Sequence, residues 1–491
     1  MGNGKTGEKG ISTFHLTMLG LGTIVGGSFF LGSGVAIQAA GPSILLSFIL
    51  GGLLVYIILY ALSEMTVADP VPGSFRTYAE RSLGRSVGFI TGWVYWVGLI
   101  LAMSSESIAA STFLREWFPS FSEVAMGMLI IVGITLLNLL GADYLSKLES
   151  GLAAVKLLAI VGFIVIGLAL IAGWIPGTPA AGGGELRNEA WFPGGIAGIA
   201  GSMLIVMFSY SGFEVIGLAA SEVENPKKTI PRAINMTLIS LLALYIAAIA
   251  VILMLYPTQG MIADQSPLVL ALTRWGMGWA GTLINIVMIT AILSTMLAST
   301  FGLARMLRSL AAEGHAPAWL KDRHDIPYRG ILFSGAAMLL GLAMGYLLPQ
   351  QVYLFLVSCG GYSLLFSYFI ILASHYRWRR VTPCSPEAAC QLPGYPYTSW
   401  VGLIGMIAII VSMPFISGQG TGLVVGLGLT ALLAGIYWVK ERRGRVSAPS
   451  SQRPIPAPLT EAAEEITGIR DDRETADEVP DSTTVPKNKK E

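Results

Sequence analysis

The sequence predicts an all-α polytopic membrane protein with twelve transmembrane helices. Three observations predict this class: few charged residues, an uneven placement of those charges, and many long apolar runs. Charged residues make up 12% of the 491-residue chain and apolar residues 53%, with a mean hydropathy of +0.66, whereas typical soluble proteins carry about 25% charged residues. The last 51 residues hold 20 of the 61 charges, so most of the remaining chain is too poor in charge to face water.

Twelve apolar runs are long enough to cross a bilayer, since a transmembrane helix needs about 20 predominantly apolar residues. We number these runs spans 1 to 12 in chain order. They cover residues 14–40, 42–63, 87–113, 123–141, 150–174, 194–221, 233–256, 279–304, 330–348, 352–375, 398–417 and 420–439.

The distribution of basic residues orients the spans. Because twelve is an even number, both termini lie on the same side of the membrane. The loops and flanks on that side carry 21 Lys and Arg residues, whereas the opposite loops carry only Arg115, Arg187 and Arg274. Cytoplasmic loops carry the excess of basic residues. The sequence therefore predicts a multi-pass protein of the plasma membrane, the bacterial inner membrane, with both termini in the cytoplasm.

The two ends of the chain are polar. Residues 1–13 are expected to form a short cytoplasmic segment without a cleavable signal. Residues 446–491 are rich in Pro, Ser, Thr, Glu and Asp, and they contain too few large apolar residues to bury a core. We therefore expect residues 446–491 to be a disordered cytoplasmic tail.

Composition and spacing exclude several kinds of site. A net charge of +1 offers no basic face to a nucleic acid. The cysteines Cys359, Cys384 and Cys390 and the four histidines lack metal-ligand spacing. No paired Asp, HExxH motif or Ser/His constellation lies at bilayer depth. The sequence therefore predicts no enzyme activity, no metal and no cofactor.

Two spans contain stretches that are poor helix formers. Span 1 contains Gly26-Gly27-Ser28 near its middle, and span 6 contains Ser-Tyr-Ser-Gly-Phe-Glu at 209–214. Glycine costs about 1 kcal/mol in a helix interior, and serine offers freed backbone groups other partners. Close packing of small residues between helices is one explanation. A break in each helix is the other, and it needs protein or a water-filled cavity beside the freed backbone.

The positions of these stretches indicate an inverted repeat. Spans 1 and 6 each open a block of five spans, residues 14–174 and 194–375, and an odd number of spans makes the second block enter from the opposite face. Spans 11 and 12, at 398–439, lie outside the repeat. Half-helix N-termini offer N–H groups to a carboxylate, and half-helix C-termini offer carbonyls to an ammonium group. An α-amino acid is the simplest ligand for such a pair of breaks.

Several motifs, in order along residues 12–440, carry a resemblance to a known family. They are GGSFFLGSG at 26–34, PGSFRTYA at 72–79, FSYSGFEVIGLAASEVENPKKTIPRAI at 208–234, Gly92-Trp93…Tyr95-Trp96…Glu106, and Arg305-Met306-Leu307…Gly314-His315-Ala316-Pro317. The chain resembles the amino acid/polyamine/organocation superfamily and, within it, the bacterial amino acid permease branch.

This resemblance implies a five-plus-five inverted repeat, discontinuous helices 1 and 6, and uptake of amino acids by alternating access. It implies that the substrate carboxylate is received by Gly26, Gly27 and Ser28. It also implies that Phe208 covers the substrate and that the α-amino group is received by the segment Phe208, Ser209, Tyr210, Ser211 and Gly212. The hydroxyl of span 1 comes one place later here than in the family's usual Gly-Ser/Thr-Gly.

Two intramembrane charges are candidates for proton coupling. Lys156 in span 5 either bends back to the headgroups or reaches the carbonyls freed at the span 1 break. The resemblance favours the second, because proton-coupled members carry a lysine there, where sodium sits in sodium-coupled relatives. Since a fixed cation would repel sodium, we expect proton symport. Glu214 is either a first-turn carboxylate favoured by the half-helix dipole or a protonatable link between the broken helices.

Glu106 is a third intramembrane charge, about 19 residues into span 3. It is either an interfacial charge or part of the pocket for the substrate side chain. Because no dense acidic pocket is visible, the substrate is expected to be neutral. The neighbouring aromatic residues Trp93, Tyr95 and Trp96 are interpreted as membrane-facing or packing side chains. Span 8 carries four hydroxyl groups that either point toward the carbonyls freed at the span 1 break, where a cation would bind, or pack between helices. They belong to Ser294, Thr295, Ser299 and Thr300.

The predicted function is secondary active import of a neutral α-amino acid by proton symport. An amino acid or polyamine exchanger is the alternative among transporters, and a non-transporting membrane sensor is a further one. The expected partners are an amino acid substrate, protons and the lipid bilayer, with no nucleic acid. The oligomeric state stays open.

Overall fold

A computed structural model describes most of the chain between residues 12 and 443. It describes residues 12–69, 71, 73–214, 216, 223, 225–262, 265–322, 326–344, 352–382, 392–416 and 418–443. The tail 446–491, nearly all of the segment 1–13, and the loop with Cys384 and Cys390 lie outside these residues.

The described residues are mainly helical, and they contain no β-strand. In chain order the α-helices are α1 (Thr13–Ile24), α2 (Ser33–Ala40), α3 (Ile44–Ala68), α4 (Phe75–Leu83), α5 (Arg85–Leu114), α6 (Glu123–Asn138), α7 (Ala142–Ala172), α8 (Gly195–Ser209), α9 (Pro226–Leu255), α10 (Pro267–Arg274), α11 (Gly278–Ala312), α12 (Tyr328–Ala343), α13 (Val352–Val381), α14 (Tyr397–Ser412) and α15 (Gly420–Arg442). A π-helix, Ser28–Gly32, leads directly into α2.

Within the described chain, eight helical segments are long and apolar enough to cross a membrane. The first is Ser28–Ala68, which combines the π-helix, α2 and α3. Four shorter apolar helices, α1, α6, α8 and α12, accompany the eight. Every predicted span overlaps one or more of these helices. The all-helical, polytopic architecture predicted from the composition is thus the architecture of the described chain.

Helix α5 is at the centre of the bundle. It packs against α4, α6, α11, α12, α13 and α15, and most of its residues are buried. Helix α1 packs against α7, α9 and α11, whereas α8 packs against α2, α3 and α13. Helices α14 and α15 lie at the edge of the bundle, where many of their apolar side chains are exposed. Such a surface suits contact with lipid and not with water.

Span 1 is interrupted in its middle. Helix α1 ends at Ile24, and Val25 is extended, with φ −74° and ψ 102°. Helical structure resumes at Ser28 and continues through the π-helix and α2 to Ala40. Single π-helical turns are rare in proteins overall, but those that occur are often found at functional sites. Because α1 ends before the π-helix begins, carbonyl groups at the end of α1 and amide groups near Ser28 are left without helical partners.

Span 6 is interrupted where it passes the first interruption. Helix α8 ends at Ser209, and turns follow at 210–213. Gly212 has φ +105°, a backbone conformation that L-residues rarely adopt. A Cβ atom at this position would lie 2.8 Å from the carbonyl oxygen of Thr23 and 3.4 Å from Cα of Ile24. Glycine is required here both by the backbone conformation and by the close approach of the two segments.

Replacing Gly212 therefore strains the crossing of the two interruptions. We expect Gly212→Ala to lower the melting temperature of the purified protein, because an unfavourable backbone conformation costs about 1–3 kcal/mol and the new methyl group also collides with Thr23. Gly428→Ala is the matched control, since a Cβ at Gly428 in α15 meets no heavy atom within 4 Å. Equal melting temperatures of the two variants would contradict this account of Gly212.

Candidate functional site

The end of α1 is held by a buried lysine. Lys156 lies on α7 and is fully buried. Its Nζ donates a hydrogen bond to the carbonyl oxygen of Gly22 and another, of 3.1 Å, to that of Val25. Thr295 on α11 adds a 3.2 Å hydrogen bond from Oγ1 to the same Val25 oxygen. The ammonium group thus lies on the carbonyls that the interruption frees, not at the headgroup boundary.

The start of the second half of span 1 is held by a buried carboxylate. The amide of Gly27 donates to Oε2 of Glu106 at 2.8 Å, and the amide of Ser28 donates to Oε1 at 3.1 Å. Glu106 lies on α5 and is 4% exposed. Hydrogen bonds from N–H groups to an ionised carboxylate are stronger than those between neutral groups. A carboxylate of the chain itself therefore occupies the amides that the resemblance implies for the substrate.

The two interruptions are joined by hydroxyl groups. Ser209 Oγ donates to the carbonyl oxygen of Ser28 at 3.2 Å, and Ser28 Oγ donates to that of Phe208 at 3.5 Å. Thr23 Oγ1 lies 3.2 Å from the carbonyl oxygen of Gly212 and donates to it. These contacts replace part of the helical hydrogen bonding that both segments lose.

Glu214 connects the second interruption to two other helices. Tyr95 on α5 donates from its hydroxyl to Oε1 at 2.9 Å, and Tyr368 on α13 donates to Oε2 at 3.4 Å. The amide of Gly212 also donates to Oε2, at 3.1 Å. Glu214 is buried, so these three donors satisfy a carboxylate that has no access to bulk water.

A cavity of about 50 Å³ lies beside both interruptions. It has room for a few water molecules but not for an amino acid. The cavity runs from the interruptions toward Gly73 and Arg305. It is lined by Thr23, Ile24, Ser28, Gly73, Tyr95, Leu99, Met103, Glu106, Phe208, Ser211, Gly212, Glu214, Thr295, Ala298, Ser299, Gly302, Arg305 and Met306.

Comparison with known proteins assigns the chain to a family. A family model described as amino acid permease matches residues 15–443. The chain belongs to the amino acid permease family. This membership makes the protein a multi-pass membrane transporter of amino acids and not an enzyme, as the sequence analysis predicted.

Bacterial relatives cover nearly the whole permease. An uncharacterized amino acid permease of Bacillus subtilis, YtnA, is 33% identical, over 91% of this chain and 98% of its own length. The amino-acid permease AapA of Bacillus subtilis is 32% identical, over 89% and 96%. The aromatic amino acid transport protein AroP of Escherichia coli is 31% identical, over 90% and 98%.

The permease brings six of the predicted site residues into the cavity wall. They are Ser28, Glu106, Phe208, Ser211, Gly212 and Glu214. Four other predicted site residues do not line the cavity but take part in the contacts of the two interruptions. They are Gly26, Gly27, Lys156 and Ser209. The Tyr210 side chain points elsewhere, since its hydroxyl donates to the carbonyl oxygen of Phe48 at 3.0 Å.

Tyr95 is a site residue that the sequence analysis interpreted differently. Its hydroxyl binds Glu214, and its side chain lines the cavity, so it is neither a membrane-facing nor a purely packing aromatic residue. Tyr95 and Glu106 are eleven residues apart, which is about three turns of an α-helix. This spacing places both residues on one face of α5, and it could have identified Tyr95 as a site residue from the sequence.

A histidine of the permease, His315, is buried directly after α11. His315 Nδ1 lies 3.9 Å from Oε2 of Glu80. Burial, and to a smaller extent the positive charges of Arg76, Arg85 and Lys440, lower the pKa of His315 to about 4. His315 is therefore neutral at pH 7.

The pKa of His315 makes the permease less stable in acid. The unfolded chain binds this proton near pH 6.5 and the folded chain only near pH 4, so the free energy of unfolding falls as the pH drops between these values. We expect the melting temperature to fall less between pH 7 and pH 5 in His315→Gln than in wild type. His15→Gln, at an exposed histidine of α1, is the control. Equal decreases in all three proteins would contradict this role of His315.

Proposed function

We propose that this permease is a secondary active transporter that imports a neutral α-amino acid by proton symport and alternating access. The observation that carries the proposal is the meeting of two interrupted helices at one cavity. Each interruption leaves polar backbone groups inside an apolar bundle, and such backbone is tolerated at membrane depth where it lines a binding site. Membership in the amino acid permease family identifies the kind of substrate.

An inverted repeat accounts for this meeting. Twelve transmembrane helices would form five-helix repeats at 14–174 and 194–375, with the last two helices at 398–439 outside them. A pseudo-two-fold axis in the membrane plane then brings span 1 beside span 6. The excess of basic residues on one side of the predicted spans supports a cytoplasmic location of both termini, and the bacterial relatives support a location in the bacterial plasma membrane. Residues 446–491 would then be a disordered cytoplasmic tail, and 1–13 a short cytoplasmic segment.

The two interruptions suit the two charged groups of a zwitterion. The amides of Gly27 and Ser28 are donors at the start of a half-helix, which favours an anion such as the substrate carboxylate. Backbone carbonyls of the segment 208–212 would accept hydrogen bonds from the α-ammonium group, since carbonyl oxygens are acceptors that the turns at 210–213 take out of regular helical bonding. The Phe208 side chain lies in the cavity wall, where it can cover a bound substrate.

The cavity wall favours a neutral side chain. Leu99, Met103, Phe208 and Met306 contribute large apolar side chains to it. The carboxylates of Glu106 and Glu214 are already bound by donors of the chain. An apolar or aromatic amino acid fits such a wall better than a cationic one. The relative named for aromatic amino acid transport supports the same substrate class.

Lys156 supports proton rather than sodium coupling. Its ammonium group fills the site formed by the carbonyls of Gly22 and Val25, and a second cation would be repelled from it. A buried lysine can release and regain a proton when its surroundings change. We assign Lys156 and Glu214 to proton coupling, with Glu214 as a link, since Glu214 connects the span 6 interruption to Tyr95 and Tyr368.

Two cavities support a transport pathway along α5. The cavity at the interruptions extends toward Gly73 and Arg305. A larger cavity, of about 480 Å³, lies near the opposite end of α5 and includes Glu116 and Asn285 in its wall. Alternating access would connect the interruptions first to the larger cavity, on the outer side, and then to the cytoplasm past Gly73 and Arg305.

Uptake by purified protein in liposomes tests the proposal. With acid outside, we expect accumulation of at least one neutral amino acid from a radiolabelled panel, and we expect a protonophore to abolish it. Lys156→Met should remove this accumulation while keeping exchange of labelled for unlabelled substrate, because exchange needs no proton gradient. Lys228→Met, at an exposed lysine near the start of α9, is the matched control.

Two results would contradict the proposal. Uptake that depends only on a counter-substrate inside the liposomes would make the permease an exchanger. Uphill accumulation by Lys156→Met on a pH gradient would remove Lys156 from the coupling mechanism.

A further inference from the structure

Glu106 makes the contacts that a substrate carboxylate would make at the first interruption. Both of its oxygens accept backbone hydrogen bonds, from Gly27 at 2.8 Å and from Ser28 at 3.1 Å. These amides precede 13 residues of continuous helical structure, from Ser28 to Ala40. The side chain comes from α5 and is buried at the cavity wall.

Gly27 gives a carboxylate the room to approach the backbone. A Cβ atom at Gly27 would lie 2.5 Å from Oε2 of Glu106, so any other residue would displace the carboxylate. The adjacent cavity of about 50 Å³ is too small for an amino acid while Glu106 fills this position. A substrate can therefore reach the amides of Gly27 and Ser28 only if the Glu106 side chain moves away from them.

An ionised Glu106 and a substrate carboxylate exclude each other at these amides. Each amide has one hydrogen atom, and Glu106 uses both. Two carboxylates at one buried site repel each other strongly, and the usual result is that one of them binds a proton. A protonated Glu106 is neutral, so it holds the amides less tightly and does not repel the incoming carboxylate.

We propose that Glu106 is an internal competitor for the substrate carboxylate, which the substrate displaces as Glu106 takes up one proton. This inference rests on the proposed function and names the group that links substrate binding to proton binding. The balance is one proton from solution added to the Glu106 carboxylate for each substrate carboxylate bound. Lys156 keeps its place on the carbonyls of Gly22 and Val25, so the positive charge beside the break is unchanged during this step.

Other ionisable groups face Glu106 or the same cavity from several helices. Lys156 on α7, Tyr245 on α9 and Tyr353 on α13 interact electrostatically with Glu106. Glu214 and Arg305 line the same cavity. Their charges influence the pH at which Glu106 ionises, but among these residues only Glu106 accepts hydrogen bonds from the amides of Gly27 and Ser28.

Binding measurements on the wild-type protein test the proposal without any substitution. The probe is the amino acid of the standard panel that binds most tightly, titrated calorimetrically in two buffers of different ionisation enthalpy. We expect uptake of about one proton per substrate at alkaline pH. The dissociation constant should then rise about tenfold per pH unit where the empty protein has Glu106 ionised. Proton uptake near zero, with a dissociation constant independent of pH, would overturn the proposal.

Glu106→Gln separates this role from a purely structural one. Glutamine keeps the shape but lacks the charge and offers one acceptor oxygen, so we expect binding at alkaline pH at least tenfold tighter than in wild type. We also expect its pH dependence and proton uptake to disappear. Glu123→Gln, at the Arg115–Glu123 ion pair, is the matched control and should behave as wild type. A Glu106→Gln protein with a lower melting temperature but a wild-type pH dependence would show that Glu106 only caps the helix.

The amide derivative of the same amino acid distinguishes this proposal from the proposed function. Without a carboxylate it cannot compete with Glu106, so we expect no binding and no proton uptake. If wild type binds no member of the panel, the proposed function fails. If it binds the amino acid and the amide equally well, the function stands and the role of Glu106 fails.

Discussion

Two buried side chains of opposite charge hold the interrupted first helix. The Lys156 ammonium lies on the carbonyls of Gly22 and Val25, and the Glu106 carboxylate lies on the amides of Gly27 and Ser28. Each side chain faces the end of a half-helix whose partial charge is opposite to its own. Unpaired backbone groups cost several kcal/mol each in an apolar interior. Both charged side chains therefore stabilise the interruption inside the bundle.

The central helix α5 connects this arrangement to the second interruption. Glu106 contacts the first interruption, and Tyr95, three turns earlier, contacts Glu214 directly after the second. Ser28 and Ser209 join the two interruptions themselves. A change at the amides of Gly27 and Ser28 therefore acts on the same rigid helix that holds Glu214. This is a physical route by which occupancy of one half of the site can influence the other half.

Local patterns predicted the positions of the helices and the two interruptions, but not all of the contacts. Apolar length determines where a helix can cross lipid, and Gly26-Gly27-Ser28 and Gly212 supply backbone freedom at the interruptions. The contact of Glu106 with Gly27 could not be predicted, because α5 is apolar around most of its circumference. Hydrophobic periodicity then does not distinguish the face toward lipid from the face toward a site. The direction of the Tyr210 side chain could not be predicted either, because it depends on tertiary packing with Phe48.

A structure of the protein with its amino acid bound tests the central claim most directly. The account predicts the substrate carboxylate within hydrogen-bond distance of the Gly27 and Ser28 amides, with the Glu106 side chain turned away and Lys156 still on the carbonyls of α1. A substrate bound elsewhere, with both Glu106 oxygens still on those amides, would contradict it.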